Sequence, residues 1–336
     1  MKVRSLISVL LILVMFGGLI SPAMSMSIDK KPYLIDDTKL KEIKFKQLYR
    51  SDKDFKRYVD QIRKILSKDK LSDKDWKEFK KFFNIVFKKI EGIELNDKEF
   101  GILKHIIEKE KLKIKVYKCY SQTKGLSTTA SVLVAYNYLP KLYQPIADIN
   151  NGNKLIRTYA KVFDENIYGH HLPGKYIIEV TYVFSDEDYP NPIIDRAYDW
   201  YRYIEWGRFE DIETFFLIVD KSTGRVDKLS FVGLQIYWWN PFYGEWRFID
   251  PIYSGSATWN TGVHEKAKVT SFNTNGTHPI VYINTWNHAI GERDNNPSMR
   301  DVAFNTWLNP VEGSRINAEN EYSTCIYNNE KLTEVP

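Results

Sequence analysis

Gly207–Asp220 reads GRFEDIETFFLIVD. Three carboxylates, Glu210, Asp211 and Glu213, run straight into one of the most apolar stretches of the chain. Alternate residues of an extended chain share a face. Asp211, Glu213, Phe215, Leu217 and Val219 therefore line one side, and Ile212, Thr214, Phe216 and Ile218 the other. Both sides become apolar as the segment proceeds, which predicts a central strand covered on both faces. Asp211 and Glu213 fall where that cover begins. Two carboxylates so close at the edge of a low-dielectric region repel each other unless something neutralises them. A divalent cation, one of Arg202, Arg208 and Arg247, or plain solvent exposure could each do so.

Outward from this strand, strand-type patterns run from about Leu112 to the C-terminal region. KLKIKVYKCY alternates Leu112, Ile114 and Val116 with lysines, and SVLVAYNY, KYIIEVTYVF, KLSFVGLQIYWW and HPIVYINTW come after it. Turn clusters such as DINNGN, YPNP and KSTG separate them. Strand after strand without long helical patterns between predicts a mainly antiparallel β-sandwich over residues 112–336.

Residues 26–111 read differently. SDKDF from Ser51, SDKDW from Ser72 and NDKEF from Asn96 each offer an N-cap oxygen followed three residues later by an acid. Behind the caps, apolar residues recur at helical spacing: Phe55, Val59, Ile62 and Leu66; Trp76, Phe79, Phe83 and Phe87; Phe100, Leu103 and Ile107. The expected fold is α+β as a whole, a small helical bundle followed by the sandwich. Residues 30–115 hold 26 Lys/Arg and 16 Asp/Glu, a net of +10, whereas residues 116–336 hold 20 and 26, a net of −6. In the basic region lysines alternate with acids and no recognition-helix pattern occurs, so a solvated face is expected there and nucleic acid is not.

The chain opens with Lys2 and Arg4, then SLISVLLILVMFGGLI, then small residues at Ala23 and Ser25. That order predicts an export signal over residues 1–25, with an uncleaved membrane anchor as the alternative. Mean hydropathy is −0.41, which excludes a polytopic membrane protein. Outside the cytosol Cys119 and Cys325 can pair as a disulfide; two reduced, buried cysteines are the other reading. Asn275-Gly276-Thr277 fits an N-glycosylation acceptor, consistent with export.

GRFEDIE resembles the G-H-R-H-D-W-E heptapeptide of the necrosis- and ethylene-inducing-peptide-like proteins. It is also similar to a G-D-W-E strand found in a wider set of secreted β-sandwich proteins. Gly207, Asp211 and Glu213 match, while Arg208 and Glu210 stand where the heptapeptide has histidines. THPIVYINTWNHAIG, Thr277–Gly291, is similar to a later strand of the wider set, and LQIYWWNPFYGEW takes the place of its aromatic strand and turn. The resemblance implies an oxygen-rich divalent-metal site at Asp211 and Glu213, with Glu210 and His288 as further ligands. Such a set suits Ca²⁺, Mg²⁺ or Mn²⁺ better than zinc. Without a second ligand beside it, His288 reads instead as a satisfied core or turn histidine.

Two aromatic clusters, Tyr198–Trp206 and Trp238–Trp246, are for the most part expected to pack in the core, while some can line a groove for sugar rings or lipid headgroups, with Trp238, Trp239 and Trp246 the candidate ligand-binding residues. His170 and His171 fall in an expected surface loop. No G-x-S-x-G, H-E-x-x-H, P-loop or G-x-G-x-x-G motif occurs, so the reading leans away from an enzyme. A secreted or cell-surface protein binding a glycan or membrane lipid headgroup is expected, with a polysaccharide hydrolase or a structural envelope component as alternatives.

Overall fold

The computed structural model describes residues 37–68, 70–117, 128–167, 170–189, 191–231, 237–240, 245–248, 268–285 and 288–323. The expected export signal and both cysteines lie outside the described residues. Residues up to Gln47 make one unit and Leu48–Pro336 the other. Helix α1 (Asp37–Ser51) begins in the first, and the remaining elements belong to the second.

Helices α2 (Lys53–Leu66), α3 (Asp73–Glu91) and α4 (Asp97–Tyr117) form where the caps place them. Ser72 and Asp75 close a capping box, Ser72 N donating to Asp75 Oδ2 at 2.9 Å. Asn96 and Glu99 make the same reciprocal pair. At α2 the cap is Asp52 rather than Ser51: its carboxylate accepts from the Asp54 and Phe55 amides. The apolar stripes face inward as their spacing requires. Phe79, Phe83 and Phe87 stack in a row with ring centres 5.3 and 5.8 Å apart. Each is fully buried, which stabilises the fold by about 1.5–3 kcal/mol relative to leaving it in water.

Two expected strands are helices. The segment from Leu112 to Tyr117 continues α4, because a well-capped helix rich in Lys and Glu propagates more readily than it breaks. SVLVAYNY lies in α5 (Thr128–Tyr138). Its helical period is masked because apolar residues occur on both sides: Ala135 is buried while Leu133 and Tyr136 are exposed.

Strand β1 (Lys141–Pro145) runs directly into a short helix α6 (Ile146–Asn151). Long strands β2 (Leu155–Ile167) and β3 (His170–Phe184) come next, then α7 (Pro192–Trp206), β4 (Asp211–Asp220) and β5 (Arg225–Ser230). His170 and His171 thus open β3 instead of lying in a loop, His171 pairing in register with Asn166. The hairpin β6 (Tyr237–Asn240) and β7 (Glu245–Phe248) leads to β8 (Lys268–Val269), β9 (Thr274–Asn275) and β10 (His278–Ile283). Strands β11 (Ile290–Gly291), β12 (Asp301–Asn305) and β13 (Val311–Glu312) and helix α8 (Arg315–Tyr322) complete the described chain.

The strands build an α+β fold. One sheet has the order β13-β2-β3-β4-β5-β8, antiparallel except for β13 beside β2. The other has the order β11-β10-β1-β12 with β9 on β10, and β1 lies parallel to β10. Strand β4 is central and covered, as its sequence requires. Phe215, Leu217 and Val219 enter a large apolar cluster that also takes Leu142, Val281 and Ile283 from the second sheet. On the opposite face Phe216 and Ile218 enter one cluster, and Ile212 packs with Tyr159, Val183 and Ala318 of α8 in another.

The helices from α2 onward and the sheets share one unit. Helix α7 joins them: Trp200 Nε1 donates to Glu91 at 2.8 Å, and Arg63 Nε donates to the Ile204 carbonyl at 2.9 Å. Among the described residues no helix is long and apolar enough to cross a membrane.

Candidate functional site

The acids at the mouth of β4 have separate fates. Gly207 ends α7 in the left-handed conformation at φ 74°, its amide donating to the Tyr203 carbonyl, and turns the chain toward β4. Arg208 is buried and grips Glu319 of α8 through Nε (2.9 Å) and Nη2 (3.2 Å). Burial would raise the Glu319 carboxyl, but the charges of Arg208 and then Arg315 hold it below the usual range. Glu210 is half-buried, and burial pushes its carboxyl up. Glu213 is half-buried in register with Tyr182.

Asp211 is sealed in. His288 lies across from it on the loop joining β10 to β11, and its Nδ1 sits 2.8 Å from Asp211 Oδ2. Its Nε2 lies 3.3 Å from Asp148 Oδ2 of α6, an ion-pair contact outside hydrogen-bond geometry. Asn284 N donates to the Ala289 carbonyl, His288 N to the Thr285 carbonyl, and Ala289 N to Thr285 Oγ1. His288 takes the left-handed conformation at φ 54°, which turns its ring inward. There it stacks on Phe184 with ring centres 3.9 Å apart and 11° between planes. Its exposure is 0%, and Asp148 is 1% exposed.

Burial alone would lower the imidazole. The Asp148 carboxylate and then Asp211 more than reverse that, holding His288 up at about 10, so it is a cation. For Asp211 burial works upward, and the His288 hydrogen bond and charge, with Arg202 and Arg208 behind them, hold it well below the usual carboxylate range. The neutralising partner of the strand-mouth acid is therefore an imidazolium.

Asp148 is held as firmly from its other side. Gln144 Nε2 and Asn153 Nδ2 donate to it at 2.6 and 3.1 Å. Asn153 Nδ2 also reaches Asp188 Oδ2 at 2.9 Å, which carries the network to the rim of the site. There the run Asp186-Glu187-Asp188 meets α7. Fully buried Arg202 contacts Asp186, Asp199 (3.2 Å) and Glu187 (3.4 Å). Among the described residues, Asp188 and Asp195 have no such cation in direct contact. Burial, and then repulsion from neighbouring acids, raises both, Asp195 to about 6. Asn153 Oδ1 adds a buried acceptor that no donor among the described residues reaches.

Of the residues expected to hold a metal, the fold brings Asp211 and His288 into direct contact. Both nitrogens of His288 face carboxylates on opposite edges of the ring, so the ring and its two acids do not point at a common centre. Among the described residues, no group of three or more His, Cys, Asp and Glu side chains is arranged to hold a metal ion. Asp148, Asn153, Asp188 and Asp195 are residues that no motif singles out. The DED run at 186–188 is visible in the sequence, but nothing local marks Asp148 as a partner of a histidine 140 positions away.

The aromatic candidates divide. Tyr198, Trp200, Tyr201 and Tyr203 lie on α7 and are buried, so they pack rather than line a groove. In the β6–β7 hairpin Trp239 is in register with Trp246, and Trp238 with Arg247.

No protein-family model, curated protein or solved structure matches the chain.

Proposed function

We propose that the protein is an exported binding protein that takes a glycan or lipid headgroup at the cell surface through a divalent cation. The cation is drawn by the acid-rich rim at Asp188 and Asp195. What supports this is that Asp188 and Asp195 have no cation in direct contact among the described residues, together with the buried Asn153 side-chain oxygen Oδ1, which no donor among those residues reaches. Carboxylates and an amide carbonyl are the oxygen donors that Ca²⁺ favours, and backbone carbonyls and the ligand's hydroxyls can complete its shell. Trp238, Trp239 and Trp246 of the β6–β7 hairpin are the residues on which a sugar ring would stack. The test is binding of the exported protein to glycan arrays and to vesicles of defined headgroup, in calcium and again in a chelator. Binding that calcium restores and Asp188→Asn removes is the expected result. Binding indifferent to the chelator contradicts the cation, and no binding to either surface contradicts the function.

A hydrolase is the second reading, favoured by one observation. Half-buried Asp195 at the rim is raised to about 6 by burial, which suits a general acid. Release of reducing ends from polysaccharide, lost in Asp195→Asn, would favour it over simple binding.

A further inference from the structure

We propose that Asn275 is an N-glycosylation site, modified on the exported chain. Asn275-Gly276-Thr277 is the one Asn-x-Ser/Thr triplet in the sequence without proline at its centre; the other, Asn296-Pro297-Ser298, is blocked by it. The fold places the open triplet at the tip of the β9–β10 hairpin, with Asn275 paired to His278 and a two-residue turn between them. All three residues are exposed. Gly276 takes φ +66°, and a Cβ built on it would meet nothing within 4 Å. A glycan on Asn275 would extend into solvent without displacing a packed side chain.

The turn also sets an order of events. Thr277 Oγ1 donates to the Asn137 carbonyl at the end of α5, and His278 Nδ1 lies 2.8 Å from the Leu139 carbonyl. The threonine hydroxyl that a transferase must read is thus engaged once α5 has packed, so transfer precedes that packing. The reaction needs a lipid-diphosphate-linked oligosaccharide as donor. Asn275 Nδ2 forms a bond to the anomeric carbon and gives one proton to a base of the transferase. The bond from that carbon to the diphosphate oxygen breaks, and the lipid diphosphate leaves with the electron pair. No oxidant or reductant is involved.

The proposal rests on export, so the experiment reads location and modification separately. Protein is recovered from the surface or medium of its source cells and from their cytoplasm, and peptides spanning Asn275 are weighed by mass spectrometry. The expected result is a saccharide mass increment on that peptide outside the cell, absent in Asn275→Gln and Thr277→Ala and retained in Thr277→Ser. External protein with a bare Asn275 overturns the glycosylation and leaves export standing. Protein confined to the cytoplasm overturns both. An increment that persists in Asn275→Gln places the sugar elsewhere and also overturns the proposal.

Discussion

His288 and Asp211 make a pair whose value depends on pH in opposite directions. His288 sits near 10 in the fold against an ordinary 6.5, so its contribution is complete below 6.5 and is lost as pH rises through 10. Asp211, depressed from an ordinary 3.8, contributes above 3.8 and loses that contribution as pH falls further. The pair is at full strength between those two ordinary values. His288→Asn keeps a residue that accepts a left-handed backbone and removes the charge, leaving two buried carboxylates uncompensated. It should cost about 3–5 kcal/mol in urea unfolding near pH 6. The cost should shrink toward pH 10, and a pH-independent cost would mean that the imidazole is neutral in the fold. Asp195 has the opposite sign: an acid raised to about 6 withdraws stability as pH climbs from 3.8 through 6. Asp195→Asn should stabilise the protein at pH 8 by on the order of 1 kcal/mol, with the gain gone below 3.8. Equal stability of the two proteins at every pH would show Asp195 to be unstrained.

Local elements track local chemistry closely, and their failures have physical causes. The capping boxes at Ser72 and Asn96 were readable because the cap and its partner are three residues apart. Ser72→Ala should cost about 1 kcal/mol of unfolding free energy; a loss below a few tenths would mean that tertiary packing alone holds the start of α3. Strand β4 was readable because its two faces keep a period of two into two apolar environments. Segment 112–117 misled because lysines alternating with Leu, Ile and Val imitate a strand, while the capped helix before it propagates through. The Tyr198–Trp206 cluster left packing and a groove both open, and its aromatics prove to be the buried side of a helix tied to α2 and α3. At the junction between α7 and β4, Gly207 holds φ 74°. Gly207→Ala should cost about 1 kcal/mol and leave the metal response unchanged, as seen by thermal unfolding with and without calcium. The Asp211–His288 contact was half legible, since the two residues could be singled out but their mode of meeting could not. Whether a histidine ligates a metal or carries a proton is decided by what faces its second nitrogen, here Asp148, brought in by a turn of α6 that carries no motif.

Across the whole molecule, charge is sorted by depth as well as by sequence. The lysines of α2 and α3 are mostly exposed. Of the later acids one group lies around α7 and the start of β4, while Asp164, Glu165, Asp220 and Asp227 pair with Lys175 and Lys221 at the other end of that strand. Arg202, Arg208 and His288 neutralise the innermost of the first group, and Asp188 and Asp195 remain underbalanced at the rim. A cation bound there by the folded state alone would stabilise it by about 2.7 kcal/mol at a hundredfold excess over its dissociation constant. The most direct measurement is the thermal unfolding midpoint of the wild type and of Asp188→Asn, each with chelator, calcium, magnesium and manganese. A midpoint raised by one of these ions in the wild type and unmoved in Asp188→Asn is the predicted result. A wild-type midpoint that none of the three ions shifts would contradict a cation at the rim.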